Sequence, residues 1–184
     1  MAEHDNTTEH VVLLDDQHRP IGTAPKATVH TTHTPLHLAF SCWVLNTEGQ
    51  LLLTRRALSK KTWPGVWTNS FCGHPAPHED MGEAIARRGR QELGLQLTEL
   101  TEVLPTFSYR AVDASGVVEH EFCPVWTART ESSVTPQPFE IAELGWVDPS
   151  DLYTAAQGLP QVFSPWLVQE IQNPALRVAL GITV

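Results

Sequence analysis

Between Asn69 and Leu95 the chain reads NSFCGHPAPHEDMGEAIARRGRQELGL, in which a Cys72-Gly73-His74-Pro75 turn runs straight into a charged, periodic segment. No other stretch restricts the fold as strongly. At about 100° per residue, Glu79 to Leu93 projects as a helix with Met81, Ile85, Gly89 and Leu93 inward and Glu83, Arg87 and Arg90 pointing away. Arg88 and Glu92 fall on or beside the inward stripe, one helical turn apart. A carboxylate facing a core is costly unless it is paired. Glu92 therefore either pairs with Arg88 or holds a metal ion, and both readings stay open. The whole stretch reads as the floor of an active site.

The rest of the chain supplies walls. Residues 1–9 are polar and are expected to form a flexible N-terminus, with residues 10–184 making one domain of the chain's 184 residues. His10 to Leu14, a turn at Asp15 to Pro20, and Ile21 to Thr23 read as a hairpin; Lys26 to Pro35 reads as an irregular loop. Leu36 to Asn46 is expected to be one strand, returning through Glu48-Gly49 into Gln50 to Thr54. Val103 to Val112 and Val117 to Ala128 read as a second pair around Asp113 to Gly116. Ile141 to Val147 reads as a strand, Pro149 to Gln157 as a short helix, and Phe163 to Asn173 as the final helix, with Pro165 in its first turn.

Charge and cysteine usage limit the partners. Lys and Arg number 12 against 21 Asp and Glu, a net charge of -9, which argues against a nucleic-acid partner. Three cysteines, Cys42, Cys72 and Cys123, make an odd count that suits a reducing compartment. With no long apolar run and no signal-peptide pattern at its start, the chain is expected to be cytoplasmic, without a membrane partner, and monomeric.

Against this acidic background, Arg55, Arg56, Lys60 and Lys61 gather four of the 12 cations beside Trp63 and Trp67. They read as a solvated basic loop or as an anion site, and the acidic surroundings favour the second. On Val117 to Ala128, strand alternation puts Glu119, Glu121 and Cys123 on one face. That pair of glutamates is a solvent face unless it looks into a cavity, where it becomes a pair of oxygen ligands. Of 9 histidines, His30, His37 and His74 adjoin these elements. Imidazoles with carboxylates suit Zn, Mn or Fe, or Mg with more oxygen ligands, although no short ligand spacing is present. Cys72, beside Gly73 and ahead of the helix, is a reactive candidate; Cys42, inside an apolar strand, illustrates the inert alternative.

Gly73, Glu79, Arg87, Glu92 and Gly94 match the frame of a Nudix box, the loop and helix with which that superfamily holds divalent metals against a diphosphate. The match departs from the hydrolases at Gln91, where they carry paired glutamates, and at Arg88, where the box usually has Glu. Beyond the box, LHLAFSCWVLN, QLLLTRRALSKKTWPGVWTNSFCGHP, YRA, GVVEHEFCPVW and FSPW closely resemble the type 1 isopentenyl-diphosphate isomerases, from about His10 to Trp166. That resemblance implies an α/β (α+β) fold, a Nudix-like mixed sheet flanked by helices with an N-terminal extension. It also implies interconversion of two prenyl diphosphates, isopentenyl and dimethylallyl diphosphate.

The resemblance further implies a residue set. His30, His37, His74, Glu119 and Glu121 would ligate one divalent ion, Mn²⁺, Mg²⁺ or Zn²⁺. Glu92, with the Cys72 main-chain carbonyl, would hold a Mg²⁺ on the diphosphate. Cys72 and Glu121 would handle protons, with Tyr109 beside the acid. Lys26, Arg56, Lys60 and Arg88 would contact the diphosphate, and Trp166 the hydrocarbon end. A tertiary carbocation between the two alkenes needs a dry site and a π face, for which Trp166 and Trp67 are candidates. A diphosphate hydrolase and a non-catalytic metal-stabilised binding module remain the competing readings.

Overall fold

The computed structural model describes residues 9–182. In chain order its strands are β1 (His10–Leu14), β2 (Pro20–Pro25), β3 (His37–Leu38), β4 (Phe40–Leu45), β5 (Leu51–Arg56), β6 (Trp67–Thr68), β7 (Phe71–Gly73), β8 (Thr98–Leu104), β9 (Ser108–Val112), β10 (Val118–Phe122), β11 (Val125–Arg129) and β12 (Ile141–Val147). The helices are α1 (Lys26–Val29), α2 (Met81–Leu93), α3 (Pro149–Gly158), α4 (Pro165–Ile171) and α5 (Pro174–Ala179), with a 3₁₀ turn at Pro160–Val162.

Strand β4 explains the layering. All of its residues are buried, yet alternation sends them into two cores. Phe40, Cys42 and Val44 pack with Phe71 and with Ala84, Ile85 and Leu93 of α2, while Trp43 and Leu45 pack with Leu152, Leu167, Ile171 and Leu176 of the C-terminal helices. A helical layer on each face is what a strand apolar on both sides requires. Each large side chain so buried contributes roughly 1.5–3 kcal/mol. This sheet has the order β12-β5-β4-β11-β8, with β6 on β5 and β7 on β4; the other has the order β2-β1-β3-β10-β9.

Three expected strands are each two. Leu36 to Asn46 divides at Ala39 into β3 and β4, Val117 to Ala128 divides at Cys123-Pro124 into β10 and β11, and Val103 to Val112 divides into the end of β8 and β9. In each case the chain changes sheets. The breaks are stitched together: Ala39 N donates to Phe122 O at 2.9 Å, Ser41 N to Pro124 O at 3.1 Å, and Cys123 N to Phe107 O at 2.9 Å. Strands β3 and β10, then β4 and β11, run parallel on either side of this seam. Two further expectations are corrected. The loop after Lys26 starts with the short α1, and α4 is followed by α5, which Asn173 caps by accepting from Ala175 N at 3.0 Å.

Helix α2 has defined ends. The Asp80 carboxylate accepts from Gly82 N at 2.8 Å and Glu83 N at 3.2 Å. Gly94 closes the helix at φ 67°, with Gly94 N donating to Arg90 O and Leu95 N to Gly89 O. A Cβ at Gly94 would also lie 3.1 Å from Thr135 Cβ. Gly94→Ala is expected to lower unfolding free energy by about 1–2 kcal/mol. Urea denaturation checks this, and an unchanged midpoint would mean that the left-handed end is not needed.

Candidate active site

The seam opens into a cleft of about 540 Å³. Twelve of the sequence-derived site residues line it: Lys26, His30, Arg56, Lys60, Cys72, His74, Arg88, Glu92, Tyr109, Glu119, Glu121 and Trp166. His37 stands behind them, fully buried, with its Nε2 3.5 Å from a Glu121 oxygen. Cys72 comes from β7 in one sheet and Glu121 from β10 in the other, so the two reach the cleft from opposite sides of the seam.

One end is ionic. Arg88 is buried and reaches Glu92, Glu140 (3.3 Å) and Glu9 (3.3 Å), Lys26 meets Glu9 at 2.7 Å, and Lys60 meets Glu140. Burial opposes the Arg88 charge, but Glu92, Glu140 and Glu9 outweigh it and raise its pKa. Burial dominates at Glu92 and pushes that carboxyl up despite Arg88. Of the two readings of Glu92, the structure shows the pair with Arg88, and the carboxylate also lines the cleft. Arg56 Nη2 donates to Thr62 O at 2.9 Å, its Nε reaches Trp63 O at 3.2 Å, and its Cζ lies 5.4 Å from the Trp166 ring centroid. Glu9, read from sequence as the end of a flexible segment, is instead tied to two cations. Neither it nor Glu140 was legible, because both become neighbours only through the fold.

Arg87 does not point free of the fold. Its Nε and Nη2 donate to the Glu79 carboxylate at 2.7 Å each, Nη2 also reaches His74 O at 3.3 Å, and Nη1 reaches Gln91 Oε1 at 3.2 Å. Glu79 in turn accepts from Ala76 N at 2.7 Å. These contacts brace the turn that carries His74. Gly73 lets that turn sit close, since a Cβ there would lie 2.8 Å from Phe40 Cζ and 3.0 Å from Arg88 Cγ.

The middle holds imidazoles and carboxylates. Ligand atoms of His30, His37, His74 and Glu121 all lie within 4.8 Å of one another. His37 Nδ1 is 2.9 Å from Pro35 O, a contact that needs the proton on Nδ1 and leaves Nε2 facing the cluster, where burial lowers the ring's pKa but Glu121 outweighs it and raises it. His37 Nε2 is buried without a hydrogen-bond partner, while His30 Nε2 and Glu119 Oε2 are buried facing each other at 3.0 Å. Burial pulls His74 down to about 4, so its ring is neutral and available as a ligand. Buried lone pairs converging with carboxylate oxygens fit a divalent cation. Glu119 joins through His30, at 3.0 Å, and Thr62 donates to its other oxygen at 2.6 Å. Glu121 accepts from Tyr109 at 2.9 Å and sits 3.0 Å from His74 Nε2. Burial acts against its charge, yet His37 and His74 hold it well below the ordinary carboxylate range.

The other end is aromatic. Trp166 is buried, 5.5 Å from Trp63 and 5.5 Å from Tyr109 between ring centroids. Trp67, the second expected π face, packs instead against the core of the C-terminal helices and does not line the cleft. Trp63 packs edge-on against Trp166 behind the cleft wall. Cys72 is half-buried, and burial, with Glu170 and Glu121 nearby, pushes its thiol well above the ordinary value. Burial likewise pushes Tyr109 well up, so its hydroxyl stays a donor to Glu121.

A model of the NUDIX domain matches residues 35–167. Two solved structures share the fold: a protein from Deinococcus radiodurans (TM-score 0.69, 19% identity, 89% of this chain and 98% of that one) and a MutT protein from Methanosarcina mazei (0.61, 18%, 75% and 91%). The chain belongs to the Nudix family. Proteins called isopentenyl-diphosphate Delta-isomerase are far closer in sequence: one from Kocuria rhizophila is 61% identical over 176 residues, 96% of this chain and 98% of its own length. Another, from Corynebacterium glutamicum, is 56% identical over 177 residues, 94% of each. Within the Nudix family, the chain's place is among the isopentenyl-diphosphate Delta-isomerases. No described helix is long and apolar enough to cross a membrane.

Behind the cleft, Glu170 is fully buried, and burial raises its pKa from 4.5 to about 8 although Ser41 and Trp43 donate to it. A carboxyl with a raised folded-state pKa keeps its proton longer folded than unfolded, so the stability it contributes is lost as pH rises from 4.5 to about 8. Glu170→Gln is therefore expected to gain stability relative to the wild type across that window. Urea denaturation at the two ends checks this, and a difference independent of pH would remove Glu170 from the titration.

Proposed function

We propose that the chain interconverts isopentenyl and dimethylallyl diphosphate through a tertiary carbocation, as a type 1, divalent-metal-dependent isomerase of isoprenoid biosynthesis. The observation that carries this reading is the pair Cys72 and Glu121, facing one cleft from different sheets, with cations at one end and Trp166 at the other. Lys26, Arg56, Lys60 and Arg88 bind the diphosphate and fix the hydrocarbon end against the aromatic wall. One of Cys72 and Glu121 gives a proton to the terminal alkene carbon, which becomes a methyl group. The positive charge then sits on the branched carbon, where the Trp166 face stabilises it by about 2 kcal/mol when desolvated. The other group removes a proton from the carbon next to the oxygen-bearing one, and the new double bond forms there. Tyr109 orients the Glu121 carboxylate throughout.

His30, His37, His74, Glu119 and Glu121 would hold one divalent ion, Mn²⁺, Mg²⁺ or Zn²⁺. Glu92 and the Cys72 main-chain carbonyl would hold Mg²⁺ with the diphosphate. When bound, these ions lower the proton affinity of Glu121 and neutralise diphosphate charge. The protein's own side chains exclude water, which would otherwise trap the cation as an alcohol. Residues 10–184 act as a single domain, and we place the protein in the cytoplasm as a monomer.

Hydrolysis of the diphosphate is disfavoured by the α2 carboxylates. Glu79, just ahead of the helix, is tied to Arg87, Glu83 is exposed, and Gln91 stands in place of a carboxylate, leaving Glu92 as the one carboxylate of this stretch that lines the cleft. A hydrolytic water needs more than one. Incubation with isopentenyl diphosphate is expected to give dimethylallyl diphosphate of unchanged mass, whereas phosphate release without that product would sink the assignment. Cys72→Ala should lose isomerisation by about 10³-fold or more with diphosphate affinity largely kept. Lys60→Ala should mainly raise KM, and an unchanged KM would take Lys60 out of the anion site. Glu121→Gln should match Cys72→Ala, with metal content measured to separate loss of proton transfer from loss of the ion.

A further inference from the structure

Glu170, on α4, takes no part in the steps above, yet it is fully buried. Its Oε2 accepts from Ser41 Oγ at 2.7 Å and from Trp43 Nε1 at 2.6 Å, while Oε1 has no hydrogen-bond partner. Ser41 has one hydroxyl proton. Giving it to Glu170 obliges the Ser41 oxygen to accept, and Asn69 Nδ2 stands 2.9 Å away. The same nitrogen lies 3.0 Å from Phe71 O and 3.4 Å from Cys72 Sγ. The other end of that carboxamide, Oδ1, accepts from Trp166 Nε1 at 3.0 Å and from Thr68 Oγ1 at 2.8 Å. Cys72 Sγ also lies 3.5 Å from Oδ1, so the Asn69 carboxamide touches the thiol with both ends and the indole with Oδ1. Ser41 also sits directly across from Cys72 in the β4–β7 ladder, so their side chains share a face of the sheet.

We propose that Glu170 is a positioning residue for the isomerisation: it orients Ser41, and through Ser41 the Asn69 carboxamide that fixes both Cys72 and Trp166. The inference rests on the functional reading given above. Oε2 can accept from Ser41 whether or not Oε1 carries a proton, and burial raises Glu170 to about 8, so the neutral acid persists near neutral pH. A glutamine offers the same acceptor in nearly the same volume. A methionine fills the space and offers none.

The test compares Glu170→Gln, Glu170→Met, Ser41→Ala and the double variant Ser41→Ala/Glu170→Met in the full chain with its divalent ions. Readouts are kcat and KM for isopentenyl diphosphate, and the rate at which iodoacetamide alkylates Cys72, located by mass spectrometry. Cys42 and Cys123 are fully buried and shielded from the reagent. Glu170→Gln is expected to stay within about threefold of the wild type in kcat, while Glu170→Met and Ser41→Ala lose about tenfold or more with KM within about twofold. The double variant should be no worse than the poorer single one, as members of one chain of contacts behave. Alkylation should change in the same variants that lose kcat. Retained kcat in Glu170→Met, an equal loss in Glu170→Gln, or losses that multiply in the double variant would each overturn the proposal. Should Glu170→Met fail to fold, Ser41→Ala, which removes a single hydroxyl, decides by the same criteria. A wild type that does not isomerise would overturn the functional reading, and unaltered alkylation in Ser41→Ala would then overturn the positioning.

Discussion

The hydrogen bonds across the seam, from Ala39 N to Phe122 O and from Ser41 N to Pro124 O, hold the two sheets in register, and the cleft depends on that register. Neither sheet alone contains a site. One brings His37, Tyr109, Glu119 and Glu121; the other brings Arg56 and Cys72 and carries α2 on its face. Where β3 passes into β4 and β10 into β11, two parallel strand pairs change partners together, so side chains from both sheets point into one space. Main-chain bonds set the relative height of Cys72 and Glu121. That is the stiffest means a protein has of fixing two groups on different elements.

Around this frame, charge is arranged in two opposite ways. At the ionic end Lys26 and Lys60 each meet a carboxylate, and Arg88 meets three. In the middle, carboxylates meet imidazoles in a group that could hold a divalent cation. The first arrangement neutralises itself. The second invites a partner. Tyr109, kept protonated by burial, then serves Glu121 from the one direction that neither imidazole uses.

Much of this was legible in the sequence, and what was not has physical causes. Helix α2 was readable because its stripe, its Asp80 cap and its Gly94 stop all act locally. The Nudix family followed from motif residues, and family resemblance supplied site residues that spacing could not connect. The strand breaks were invisible because Leu36 to Asn46 stays apolar across the seam, and hydropathy does not register a change of sheet. Pro105 and Pro124, which cannot donate to a ladder, were the available signals. Trp67 was misjudged for a related reason: it and Trp63, four residues apart beside the same loop, enter different environments, and only the β5–β6 pairing decides which. Glu9, Glu140 and Glu170 could not be found at all, since their partners lie far away along the chain.

Glu9, Glu92 and Glu140 also change what binding at the ionic end must be. Lys26, Lys60 and Arg88 already hold carboxylates, so an arriving anion enters an exchange in which each new contact replaces an existing one. A ligand gains only by the difference between its charge density and that of the glutamates it displaces. Under the proposed function, such a site would sort its ligands by charge, favouring a diphosphate with its several oxygens over inorganic anions of low charge.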